Sequence, residues 1–198
     1  MAEDSFLVPS DVYFKAGVHI GTKFKTKYMK QFIYKSRPDG LSVMNVQQID
    51  RRIRLAAKFL SQYAPEDILV ACRRENGWEP VKFFGKLTGA KVIPGRYPPG
   101  ILTNPNLDRF IEVKILFIID PWPDRNAIND AMSIGIPIIG LCDTNNEANF
   151  LDLIIPCNNK GRRSIGLIFY LLAKEYLREK GLLKEEELSI KMEEFMGD

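Results

Sequence analysis

Histidine occurs once in the 198 residues, at His19, and cysteine three times, at Cys72, Cys142 and Cys157, with no Cys-x-x-Cys pair. Metal sites need several imidazole or thiolate ligands that converge, so one imidazole and three scattered thiols predict no metal. An odd number of separated thiols fits a reducing compartment better than a disulfide framework. Nucleophilic catalysis finds no signature either. The G-x-S-x-G elbow is absent, and Cys142 and Cys157 stand in apolar runs of the kind that hold packed thiols.

Phosphate chemistry would need glycines at fixed spacing. None of the 14 glycines has a partner two residues away, so the dinucleotide fingerprint is missing. Gly95 and Gly100 have the gap of a nucleotide-hydrolase phosphate loop, but Ile101 and Leu102 replace its lysine and hydroxyl, and Pro98-Pro99 removes two amide donors. Asp120 and Asp143 are the remaining chemical candidates. Each follows an apolar run, where the carboxyl end of a strand places ligands. Asp143-Thr144-Asn145-Asn146 has the groups to hold a sugar or a metal, and a crevice there could serve a nucleotide- or sugar-using enzyme. The favoured reading is structural: Asp120 caps the following helix, and Asp143 with Thr144 closes a turn. No basic or imidazole partner stands near either in sequence.

The positive signals are cationic. The net charge is only +3, but residues 12–38 hold seven basic side chains and no acidic one, whereas residues 185–198 hold six acidic and one basic. Lys23, Lys25, Lys27 and Lys30 alternate with Phe24, Tyr28 and Phe32. Ammonium groups beside rings suit RNA, where cations meet phosphate and rings meet sugars or unstacked bases. Lys160, Arg162 and Arg163 precede an apolar helix, and Arg96 beside Tyr97 adds a third cluster. His19, between Gly17 and Gly21, reads as a packing or RNA-contacting residue. These eight cations, Lys23, Lys25, Lys27, Lys30, Arg96, Lys160, Arg162 and Arg163, are the expected RNA-binding set.

The elements that must position them follow from periodicity. Apolar residues make up 45% of the chain, enough for a real core, and the longest apolar run is too short to span a membrane. The acidic start, MAEDSFLVPSD, has no export signal. Ser10 is expected to cap a helix over DVYFKA closed by Gly17. Asn45, with Gln48 in a capping box, is expected to open a helix burying Val46, Ile49, Ile53, Ala57 and Leu60 and presenting Arg51, Arg54 and Lys58. Strands are expected at 41–44, 67–73, KVIP (91–94), 114–120, IPIIGLCD (136–143) and DLIIP (152–156). Helices are expected at EPVKFFGKLTG (79–89), PDRNAINDAMSIG (123–135) and from Ser164 to about Arg178. The Gly- and Pro-rich segment 95–106 reads as an exposed loop. Short apolar strands alternating with helices predict an α/β fold, a doubly wound, mainly parallel five-stranded sheet of Rossmann-like or flavodoxin-like type. One domain over 1–180 and an acidic amphipathic helix over 181–198 complete the expectation. The apolar 164–178 helix and the acidic tail are expected to face protein neighbours.

The blocks AGVHIGTKFKTKYMKQFIY (16–34), GLSVMNVQQID, PGILTNP, ILFIIDPWPDRNAINDAMSIGIPIIGLCDTN and IPCNNKGRRSIGLIFYLLAKEYL resemble, in order, the ribosomal protein S2 family of the small subunit. The likeness is to its archaeal and eukaryotic branch, which includes the laminin-receptor precursors. The coiled-coil insertion of bacterial members is absent, since about ten residues separate Leu102-Thr103-Asn104 from the Lys114 strand, as is the long eukaryotic extension. The resemblance implies a cytoplasmic, ribosome-bound structural protein that contacts 16S-type ribosomal RNA and neighbouring ribosomal proteins, with no cofactor, no small-molecule substrate, no membrane and no reaction. It marks 16–34 and 158–163 as family-typical surfaces. A laminin-receptor-like adaptor is the alternative from the eukaryotic relatives.

Overall fold

A computed structural model describes residues 6–183 and 190–197. In chain order the elements are α1 (Ser10–Ala16), β1 (Ile33–Ser36), β2 (Ser42–Met44), α2 (Val46–Leu60), β3 (Ile68–Cys72), α3 (Trp78–Thr88), β4 (Lys91–Pro94), β5 (Ile115–Ile118), α4 (Arg125–Ile134), β6 (Ile138–Cys142), β7 (Leu153–Pro156), α5 (Arg162–Glu179) and α6 (Met192–Met196). Strands β4-β3-β5-β6-β7 form one wholly parallel sheet in that order, and β1 and β2 pair separately as an antiparallel hairpin. β3, β5, β6 and β7 are buried along their whole length, which is why they read as unbroken apolar runs rather than alternating ones.

The pleat divides these strands between two cores. Ile68, Val70, Cys72, Phe117, Ile139, Leu141 and Ile155 face α1, α2, α3, α5 and α6. Leu69, Ala71, Leu116, Ile118 and Ile138 face α4 and the side chains of Tyr97, Ile101, Leu102 and Val113. The crossovers β3-α3-β4 and β5-α4-β6 therefore lie on opposite faces, and the sheet is doubly wound as expected. At the β7 edge of the second face no α-helix among the described residues serves as cover. Met29 and Phe32, in a short 3-10 turn ahead of β1, fill that corner against Cys142 and Ile154.

Several local expectations are corrected. Pro9 occupies the cap position of α1 and Ser10 is its first helical residue, although Gly17 closes the helix in the left-handed region as expected (φ 68°). Asn45 does cap α2, its Oδ1 accepting from Gln47 N at 2.9 Å. The capping box does not form, because the Asn45 amide donates to the Phe32 carbonyl and Gln48 is left exposed. Segment 95–106 is only partly exposed, since Tyr97, Ile101 and Leu102 are core residues. α5 begins at Arg162, with Ser164 inside it donating to the Asn158 carbonyl.

The apolar surface of α5 serves the fold itself. Phe84, Phe117, Phe169 and Phe195 pack in one cluster around it. The main chain of Phe195 and Met196 lies directly on Gly166, where any side chain would collide with it. Of the expected tail helix, 192–196 is helical, Leu182 and Leu183 are not, and residues 184–189 and 198 lie outside the described residues.

Candidate nucleic-acid interface

In a parallel sheet, whatever follows each strand gathers at its carboxyl edge, and here four buried polar side chains knit that edge together. Asp120, after β5, accepts from Arg74 Nε at 2.6 Å and from Asn146 Nδ2 at 3.0 Å. Asn146 Oδ1 accepts in turn from the Asp143 amide at 2.8 Å and from Asn159 Nδ2 at 2.9 Å. Asn159 Nδ2 also reaches the carbonyls of Ile119 and Leu141 at 3.2 and 3.1 Å. Asp143 accepts from Lys160 Nζ at 2.6 Å. Both aspartates thus have basic partners, supplied from other strand ends where local sequence shows none. Asp120 is not a cap of α4. Its Oδ1 receives the Trp122 amide in the turn ahead of the helix, and the cap position belongs to Asp124.

Asp124 is itself buried, with its carboxylate receiving the amides of Arg73 and Asp120. Burial raises its pKa to about 7, against the lowering effect of those two amides. The strand order reverses between β3 and β5, the crevice where doubly wound sheets ordinarily admit a ligand. The Arg74–Asp120 pair fills its floor.

The lysine-rich segment is fastened to this edge. The Thr22 amide donates to Thr144 Oγ1 at 2.9 Å, the Thr26 amide to the Thr144 carbonyl at 2.9 Å, and Thr26 Oγ1 to the Asn146 carbonyl at 2.9 Å. Gly21 is required by closeness alone, since a Cβ there would stand 2.5 Å from Thr144 Cγ2. The Gly21 amide donates to the Ser42 carbonyl, and the Met44 amide to the His19 carbonyl, so the β1–β2 hairpin holds the other side. Burying Met29 and Phe32 contributes about 3–6 kcal/mol together, far more than repulsion among screened surface lysines removes. His19 packs edge-on to Phe14, with ring centroids 4.9 Å apart, and burial lowers its pKa.

Of the eight expected cations, Lys23, Lys25, Lys27 and Lys30 are exposed on the fastened segment beside the exposed rings of Phe24 and Tyr28. Phe32, grouped with those rings in the sequence, is core. Lys25 Nζ donates to Ser36 Oγ, and among the described residues Lys23, Lys27 and Lys30 form no ion pair. Lys160 reaches the same edge, where it bridges Asp143 and Asn145. Arg162 pairs with Glu79 of α3, and Arg163 is exposed at the start of α5. Arg96 follows β4 at the far side of the sheet, exposed, while Tyr97 beside it is buried with its hydroxyl on Asp130. The structure therefore unites the 23–30 and 160–163 clusters and leaves Arg96 at a distance. On α2, Arg54 turns inward to the buried Asp50, while Arg51 and Lys58 stay exposed.

The thiols are unsuited to chemistry. All three are free and buried, and burial drives Cys72 up to about 12 and raises Cys142 and Cys157 well above the ordinary thiol value. Among the described residues, no cluster of three His, Cys, Asp or Glu side chains could hold a metal, and no helix is long and apolar enough to cross a membrane.

Residues 112–178, from the approach to β5 through nearly all of α5, match the family model of ribosomal protein S2. Over 190 residues the chain is 50% identical to small ribosomal subunit protein uS2 of Nanoarchaeum equitans, covering 96% of this chain and 94% of that one. The uS2 protein of Methanococcus maripaludis strain C5 is 49% identical over 94% of this chain and 84% of its own. That of Pyrobaculum calidifontis is 45% identical over 98% and 97%. The chain belongs to the ribosomal protein S2 family. S2 proteins are structural rather than enzymatic, which overturns the reading of Asp120 and Asp143 as the site of a sugar- or nucleotide-using enzyme. The two S2 blocks 16–34 and 158–163 are one structural unit, because the first folds over the Asp143–Asn146 turn and the second anchors in it. The stretch between Leu102 and β5 carries no helix, so the coiled-coil insertion is absent. Of the residues that organise this S2 edge, Arg74 stands out in no sequence pattern; Thr144 and Asn146 read only as parts of a turn or ligand site, and Asn159 only as part of a family-typical block.

Proposed function

We propose that this chain is a non-catalytic constituent of the small ribosomal subunit, located in the cytoplasm, that binds small-subunit 16S-type ribosomal RNA through the carboxyl edge of its sheet and packs against neighbouring ribosomal proteins. The observation that carries the RNA contact is the fastening of the Lys23–Lys30 segment onto the Asp143–Asn146 turn beside Lys160. It holds unpaired ammonium groups and two exposed rings in fixed positions before any partner arrives, which lowers the ordering entropy that binding would otherwise lose. Lys23, Lys25, Lys27 and Lys30 meet phosphates directly, and Arg163 extends the same surface. Lys160 and Arg162, already paired to carboxylates, contribute orientation more than charge, and Arg96 touches a separate stretch of RNA. Phosphate contacts position the protein, and base reading is secondary. In this reading residues 1–180 act as one unit, with the acidic 181–198 segment held to it by Phe195.

Sedimentation tests the proposal. The protein should travel with small subunits at low salt and leave them at high salt. In binding to small-subunit RNA, replacing Lys23, Lys25 and Lys27 by Ala should flatten the log–log salt dependence by roughly 2–3, at about 0.7–0.9 per neutralised phosphate. Sedimentation apart from subunits at every salt concentration, or an unchanged slope in the triple variant, refutes it.

A further inference from the structure

A groove of about 490 Å³ opens on the α4 side of the strand-order reversal, within the size range of ligand clefts. Two rings stand in its lining, Trp122 in the turn after Asp120 and Phe150 in the β6–β7 connection, 81% and 62% exposed. Phe150 is the only non-glycine among the described residues with a left-handed backbone (φ 66°), a conformation that L-residues avoid, and here it belongs to an apolar ring turned toward solvent. Neither ring joins a core cluster. Between them lie polar groups of both kinds: the amides of Asn129, Asn145 and Asn149, the carboxylate of Glu147 and the guanidinium of Arg125.

We infer that this groove holds one unstacked base of the RNA, stacked on Trp122 and Phe150 and bonded at its edge by the asparagines and Glu147. The inference deepens the RNA-binding reading and rests on it. Charge argues against a phosphate cradle, because Arg74 is already paired with Asp120 and the remaining guanidinium of the lining, Arg125, shares it with the Glu147 carboxylate. A neutral heteroaromatic base, with a π-face for the rings and both donors and acceptors at its rim, matches that lining. Asn149 already donates to Glu147 and Asn145 accepts from Lys160, but an apolar peptide segment would still leave the Asn129 carboxamide and the Arg125 guanidinium without partners. The groove is also continuous with the basic edge. Asn145, one of its walls, accepts from Lys160, and the Asn146 carbonyl accepts from Thr26 of the lysine segment. A strand whose backbone follows those cations arrives at the groove.

The test titrates the full-length protein with a fluorescent-labelled RNA hexamer of adenylates, following binding by anisotropy and the emission of Trp78 and Trp122 together, which Trp122→Ala resolves. An abasic hexamer and the variants Trp122→Ala and Phe150→Ala serve as comparisons. Both rings are exposed, so both variants should fold. The expected result is that the adenylate hexamer quenches tryptophan emission, the abasic chain binds without quenching, and Trp122→Ala loses the quench together with about ten-fold or more in affinity, the usual worth of one base–aromatic stack. Binding without quenching, or Trp122→Ala binding as tightly as the parent, overturns the groove while leaving the phosphate-contact reading intact. No binding of either hexamer overturns both. Tryptophan emission that responds to neighbouring ribosomal proteins but not to RNA makes the groove a protein seat and overturns it equally.

Discussion

Replacing Gly21 by Ala tests the fastening of the lysine segment at its tightest point. The new Cβ would stand 2.5 Å from Thr144 Cγ2, 2.9 Å from Thr144 Oγ1 and 3.2 Å from Asp143 Oδ1. Thr144 cannot swing aside freely, because it is fully buried, its hydroxyl holds the Thr22 amide and its carbonyl holds the Thr26 amide. Overpacking of this kind costs about 1–3 kcal/mol, and each hydrogen bond that opens in relief forfeits about 0.5–1.5 kcal/mol more. Thr144→Ala alone should cost about 1–2 kcal/mol through the lost hydroxyl bond and the small void. It also removes the two atoms nearest the added methyl, so the double variant should be more stable than the sum of the two losses predicts by about 1 kcal/mol or more, an energy typical of coupled neighbours. Urea unfolding of the four proteins measures this cycle, and amide exchange at Thr22 and Thr26 locates it, with protection at both expected to fall in Gly21→Ala. Strict additivity, or Gly21→Ala with parental stability and undiminished protection at Thr22 and Thr26, refutes the close approach on which the fixed lysine surface depends.

Asn159→Ala should destabilise by about 2–3 kcal/mol, because the carbonyls of Ile119 and Leu141 and the Asn146 amide oxygen lose a shared buried donor, a loss readable as a shift of the urea midpoint. Asp124 gives a pH signature. With a pKa near 3.8 in the unfolded chain and about 7 in the fold, it holds its proton more tightly when folded. Its contribution is therefore full below about pH 4 and is lost as pH rises toward 7, by an amount on the order of 2–4 kcal/mol. The parent-minus-Asp124→Asn difference in stability should fall across that window and level off above it, and a difference that rises with pH contradicts the burial argument. Cys72, Cys142 and Cys157 should resist a thiol reagent at pH 8 until denaturant is added, and three rapidly titrating thiols in the native protein would show that these pockets are open.

The parallel sheet was legible because its strands are buried on both sides. Ile115–Ile118 and Ile138–Cys142 have no alternation to mislead, and Gly17, Gly89 and Gly135 end their helices where the pattern stops. The hairpin strand β1 was not, since its burial is nearly all outward and its partner in space is β2 rather than the sheet. The site was half legible. Composition located the lysines but could not say which rings stay outside. Phe32 and Phe24 look alike in sequence, and only the unfilled corner over Cys142 and Ile154 draws Phe32 inward. Nor could local sequence pair Asp120 with Arg74, 46 residues away, or Thr22 with Thr144, 122 residues away, because parallel strands gather their ends from distant parts of the chain.

The same edge explains how a fold associated with bound cofactors serves as a structural element. A doubly wound sheet leaves its strand ends unsatisfied at the reversal of order, and an enzyme of this class meets them with glycine-rich turns and a ligand phosphate. Here the chain supplies its own substitutes. Arg74 sits on Asp120, Lys160 on Asp143, and Asn146 with Asn159 bonds the intervening main chain. With the strand ends bonded in this way, Asn159 Oδ1 being the one atom of these side chains left buried without a partner, the edge is held from within and the lysine segment can be laid across it as an outward-facing layer. The cations that Asp120 and Asp143 bind are for that reason unavailable to phosphate. In the proposed RNA-binding reading the charge offered to phosphate comes instead from the segment fastened above them, and the groove lined by Trp122 and Phe150 is what would extend that contact to a base.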